Sequence, residues 1–115
     1  MTVATFDDVR RIAMSLPEAE EILTWETDVT FRVRNKIFAI GGDGADHASI
    51  KATPMVQADL IDRDPELFRP AAYVGRFGWV DVDLTGIDVT ELEGLLRQAW
   101  RLTAPKRLAA ALGDG

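Results

Sequence analysis

The stretch "FRVRNKIFAI", residues 31–40, sets Arg32, Arg34 and Lys36 among Phe31, Val33, Ile37, Phe38 and Ile40. Cations at alternate positions of a strand share one face. On an open sheet such a row is able to meet phosphates or a groove. Adding the later cations gives a candidate nucleic-acid-binding set of Arg32, Arg34, Lys36, Lys51, Arg69 and Arg76. Its contacts would go mostly to phosphates and carry little sequence selectivity. The competing interpretation is a solvated sheet face laced with cross-strand ion pairs.

Other residues suggest other chemistry, more weakly. His47 is the one histidine, so no histidine pair is present to hold a metal. Beside Asp46 it could transfer a proton, with Ser49 two residues on along the same strand face. A turn-edge histidine with no catalytic role is the simpler account. "GGDGAD", residues 41–46, lacks the Gly-Lys-Ser/Thr ending of a phosphate loop and the acid spacing of a calcium loop. It fits a turn that needs positive φ. Glu18, Glu20, Glu21, Glu26 and Asp28 form an acidic cluster; a solvated surface explains it, and a magnesium site or basic partner is the minority alternative. Trp25, Trp79 and Trp100 suit packing or a groove lining. The chain has no cysteine, which excludes disulfides, thiol catalysis and thiolate metal sites. No catalytic residue, metal or cofactor is expected.

These groups must be positioned by a chain of 115 residues, one domain's length. With 47% hydrophobic and 28% charged residues it is composed as a packed globular domain spanning residues 1–115. The formal net charge of −6 argues against a bulk polyanion binder, but the charge is uneven: residues 1–28 carry −5, residues 29–79 carry +1 and residues 80–115 carry −2. A local patch is enough for phosphate contact. No apolar run approaches the roughly 20 residues of a membrane span, and the start lacks an apolar signal core, so a cytoplasmic protein is expected; the sequence leaves its oligomeric state open, with a monomer favoured.

Periodicity supplies the elements. "TFDDVRRIAMSLP" is a first helix with Thr5 as cap, Asp8 at capping-box spacing and an apolar face of Phe6, Val9, Ile12, Ala13 and Leu16. "EAEEI" is an exposed connection and "ILTWET" a short strand. "VTFRVR" and "KIFAIGG" form a hairpin around Asn35, and "HASIKA" continues the meander. "TPMVQADLIDRDP" is a second helix capped by Thr53, "ELFRPAAYVGRF" a loop and "GWVDVDL" a strand. A third helix, "DVTELEGLLRQAWRLTA", has Asp88 and Glu91 at capping-box spacing and a buried stripe of Leu92, Leu95, Leu96, Ala99 and Leu102. A last short helix runs between Pro105 and Gly113. The order predicts a two-layer α+β domain with helices on one face of an antiparallel sheet.

"FRVRNKIFAI", "SIKATP", "PAAYVGRFGWVDVDL" and an amphipathic helix ending in "RLTAPKRL" together resemble the MmcQ/YjbR family of small bacterial proteins, over about residues 5–110. The matching positions are Trp25, Phe31, Lys36, Phe38, Lys51, Pro54, Tyr73, Gly78, Trp79 and Lys106. Asn35 departs from the glycine expected there, and Ala99-Trp100 from the expected Ser-Tyr. The resemblance implies an α+β fold similar to type III secretion chaperones and CyaY-like proteins. It also implies a non-enzymatic DNA-binding or regulatory module with a "double wing" motif. The alternative is a protein–protein adaptor meeting a polypeptide through the sheet or the Tyr73–Trp79 region. An enzyme or small-ligand binder would need a concave pocket near His47 or Lys51.

Overall fold

A computed structural model describes residues 3–24, 27–72 and 74–111. Trp25, Glu26, Tyr73 and Gly113, all invoked above, lie outside the described residues.

Helix α1, Phe6–Met14, starts where the sequence predicts. Thr5 is its cap, and the reciprocal box with Asp8 is complete. The Thr5 amide donates to Asp8 Oδ2 at 2.9 Å, which holds that carboxyl below its ordinary value. Six strands follow in chain order: β1 Ala19–Thr24, β2 Asp28–Val33, β3 Lys36–Gly41, β4 His47–Ile50, β5 Phe68–Pro70 and β6 Val80–Asp83. All pair antiparallel, in the order β1-β2-β3-β4-β6-β5. Helices α2 (Pro54–Arg63), α3 (Val89–Thr103) and α4 (Lys106–Ala111) complete the α+β domain.

One face of the sheet is the core. Val29, Phe31 and Val33 alternate inward from β2, Ala48 and Ile50 from β4, and Val80 and Val82 from β6. They meet Val9 and Ile12 of α1 and Leu92, Leu96, Ala99 and Trp100 of α3 in a single buried cluster. Trp100 is fully buried, and its Nε1 donates to the Pro17 carbonyl at 3.0 Å. A buried indole N–H needs such a partner.

Several expectations are corrected. The "EAEEI" connection is largely strand, since β1 begins at Ala19 and its acids sit on a half-exposed edge that hides the alternation. The "ELFRPAAYVGRF" loop contains β5 and a 3-10 turn over Gly75–Phe77, both too short to show a period. Asp88 caps α3 through the Thr90 amide, while Glu91 turns to Arg63 of α2, so no capping box forms there. Leu102 is 38% exposed, off the buried stripe.

Two local features decide where the basic residues go. Arg34 and Asn35, at φ 50° and 66°, are the two residues between β2 and β3. A two-residue hairpin loop of this type demands positive φ at both positions, so Arg34 belongs to the turn and not to the strand. The register then slips: Phe31 pairs with Ala39, but Arg32 pairs with Ile37 and Val33 with Lys36. The extra residue, Phe38, is a β-bulge. A one-residue slip exchanges the faces of a strand. The bulge thus lets Phe38 and Ala39 both face the core, while Lys36, opposite the buried Val33 across the two-residue turn, lies on the helix side.

Candidate functional site

The predicted basic set does not share one surface. On the open face, Arg32 lies flat across the sheet. Its guanidinium donates to the Thr30 hydroxyl at 3.0 Å and the Thr24 hydroxyl at 3.3 Å, and Glu20 stands opposite it in register. Arg69 on β5 stands opposite Asp81 and near Asp83. Lys51, half-buried, follows β4. Arg76 is elsewhere, its guanidinium 4.8 Å from the centroid of the Phe77 ring in the 3-10 turn. The open face therefore alternates sign in register, and His47–Asp81 is the ion pair formed on it among the described residues.

His47 is on that face too. Its Nδ1, carrying the proton, donates to Asp81 Oδ2 at 2.8 Å; the partner is Asp81 of β6 and not the adjacent Asp46. The Thr85 hydroxyl and amide hold the neighbouring Asp83 carboxyl below its ordinary value, with His47 and Arg69 adding to the effect. A shallow cleft beside His47 is rimmed by Asp28, Asp43 and Ser49. Asp43 is itself held by Arg10 at 2.7 Å. Among the described residues, no group of three or more His, Asp or Glu side chains is placed to hold a metal ion.

Arg34 and Lys36 meet different neighbours. The β2–β3 turn abuts the junction of α3 and α4. There Arg34, Lys36, Arg101 and Lys106 line a cleft of about 560 Å³. A second cleft is lined by Arg34, Arg107 and Leu108. The two share Arg34 and Pro105. Five cations thus surround one corner, and no described acidic side chain lines either cleft. Lys36, Lys106 and Arg107 have no salt-bridge carboxylate among the described residues. Glu18 pairs with Arg34 at the edge of this corner. Its Oε1 and Oε2 accept from Arg34 Nε at 2.5 Å and Nη2 at 3.1 Å. That pair lowers the Glu18 carboxyl and raises the Arg34 guanidinium from their ordinary values.

The sequence reading missed Arg101, Lys106 and Arg107. A signal was available: from Gly94 to Gly113 the chain has four cations and no acid. Averaging over residues 80–115 buried that run beneath the acids around α3's start. Of the resemblance's matched positions, Phe31, Phe38 and Trp79 are buried. Gly78, at φ 102°, presses on the backbone of Thr53 and Pro54, where a Cβ would come within 2.6 Å. Lys36 and Lys106 both line the corner cleft. Among the described residues, no helix is long and apolar enough to cross a membrane.

Comparison with known proteins agrees with this architecture. An uncharacterized protein of Mycobacterium bovis and one of Mycobacterium tuberculosis are each 28% identical over 123 residues, covering 95% of both chains. The crystal structure of Deinococcus radiodurans DR2400, which has the family domain DUF419, matches with a TM-score of 0.79. It is 25% identical, over 87% of this chain and 78% of that one. The YjbR family model matches residues 14–102, from the end of α1 through all six strands to the α3 helix that carries Trp100 and Arg101, and the chain belongs to the YjbR family.

Proposed function

We propose that this protein is a non-enzymatic, phosphate-directed nucleic-acid-binding module, and that its contact surface is the corner formed by the β2–β3 turn and the α3–α4 junction. One observation carries the proposal. Arg34, Lys36, Arg101, Lys106 and Arg107 surround two adjoining clefts that no described acid lines, on a protein whose net charge is −6. Phosphate affinity depends on local neutralisation and counterion release, not on the total charge. Of the residues first grouped on sequence, Arg34 and Lys36 belong to this surface, while Arg32, Lys51, Arg69 and Arg76 do not. Flexible lysines on a turn and a helix junction suit backbone phosphates better than base edges, so sequence preference is weak.

The test is fluorescence anisotropy with a random DNA duplex across a salt series. Four or five phosphate contacts give a slope of roughly −4 in log affinity against log salt. Changing Lys36, Lys106 and Arg107 together to glutamine should remove about three units of that slope. Unchanged binding in the triple variant would rule the corner out.

A second reading, the protein adaptor, is favoured by one other place. The Gly75–Trp79 segment crosses the start of α2, tied there by Gln57 Nε2 to the Gly75 and Trp79 carbonyls at 2.7 and 2.6 Å. Met55 and Phe77, from the two crossing segments, are 76% and 59% exposed. Loss of a partner protein on changing Met55 and Phe77, with DNA binding absent, would favour the adaptor.

A further inference from the structure

We infer that Glu18 is an internal anion seated in the Arg34 fork, and that a nucleic-acid phosphate engages the corner by displacing it. This rests on the phosphate-binding reading above and gives that site a regulation.

The geometry is that of a substitute ligand. Glu18 accepts through both oxygens, from Arg34 Nε and Nη2. Arginine uses the same planar edge for carboxylate and phosphate, so the two compete for one set of donors. Arg34 is also the cation shared by both clefts. The carboxylate therefore holds the one cation common to both clefts, without lining either, while Lys36, Lys106 and Arg107 have no such partner among the described residues.

The backbone independently supports a held position. Glu18 and Arg34 both adopt left-handed backbone, at φ 56° and 50°. Neither residue is glycine, so both conformations are imposed by their surroundings. For Arg34 the hairpin turn is the cause. For Glu18 the cause is on either side. The Pro17 carbonyl accepts from the buried Trp100 indole, and the Ala19 amide donates to the Leu16 carbonyl as β1 begins. The core thus fixes the segment that carries Glu18 at the mouth of the corner. The pair itself is open to solvent, with about half of each side chain exposed (56% and 47%), so an incoming phosphate can reach it.

The experiment compares wild type with Glu18→Gln, Glu18→Ala and Glu20→Gln, each also in an Arg34→Ala background, by duplex-DNA anisotropy across salt. Thermal melts run alongside to verify folding. Glu20 is an equal charge two residues away on the open face and controls for net charge alone. Freeing an exposed cation from one carboxylate should raise affinity about two- to fivefold and steepen the salt slope by about one. The gain should appear in both Glu18 variants, be absent in Glu20→Gln and vanish without Arg34. Equal gains from Glu18→Gln and Glu20→Gln, or a gain that survives Arg34→Ala, would overturn the displacement but leave the phosphate-binding corner standing. No binding by wild type or any variant at low salt would overturn both.

Discussion

The open sheet face and the α3–α4 corner hold comparable numbers of cations and differ in everything else. On the sheet, Arg32 stands opposite Glu20 and Arg69 opposite Asp81, so each of these two cations has an acid in register across a strand. At the corner, Glu18 pairs with Arg34, while Lys36, Lys106 and Arg107 have no salt-bridge carboxylate among the described residues. Strand pairing created the first arrangement, because register brings residues distant in sequence into alternating contact. Tertiary packing created the second, through a turn, a bulge and a helix junction. A row of basic letters is therefore not a field. Its sign is decided by what stands opposite each letter once the chain is paired.

That contrast can be broken in ways of decreasing size. The corner depends on the core, so removing Trp100 should be costly. Trp100→Ala should lower stability by about 3–5 kcal/mol in urea unfolding, and a loss below about 1 kcal/mol would mean that the corner is not tied to the core. Reversing charge compares the regions directly. Glu at positions 36, 106 and 107 should weaken duplex binding at least about 100-fold, at roughly 1–2 kcal/mol per lost charged contact. Gln at positions 32, 51 and 69 should change it by less than about threefold, as for screened exposed pairs. Similar losses from both triples would erase the distinction.

The smallest effect concerns Asp83 on the open face. Thr85 lowers its carboxyl below the ordinary value of 3.8. A carboxyl lowered by folding stabilises the folded state above its unfolded pKa, and that contribution disappears as pH falls through the folded value. Asp83→Asn should therefore cost no more than about 1 kcal/mol near neutral pH, with the difference from wild type closing progressively below pH 3.8. A difference that persists undiminished in strong acid would assign the effect to something other than this carboxylate.

Much of the fold was legible. Thr5 with Asp8, Thr53 with Pro54, and the inward alternation of Val29, Phe31 and Val33 are local signals, and each formed as predicted. Less of the site was legible, for physical reasons. "KIFAI" is nearly all apolar, so its sequence carries no period by which to notice that Phe38 and Ala39 both point inward. The pairing that sets Lys36 opposite the buried Val33, on the helix side, is invisible without the partner strand. Arg34 looked like a strand residue because nothing in arginine announces positive φ. His47 stood beside Asp46 in sequence, but β6 brought Asp81 closer.

The two margins of the sheet have a consequence for solution behaviour. An unpaired strand edge is a template on which another chain can grow. Here β5 is only three residues long and ends in Pro70, which has no amide to offer. The longer margin, β1, exposes Leu23 at 66% and carries Glu20 and Glu21, the second of them paired with Arg10 at 2.8 Å. One margin is thus blunted by shortness and a proline, and the other carries edge charge at Glu20, two of the devices that disfavour strand-to-strand growth.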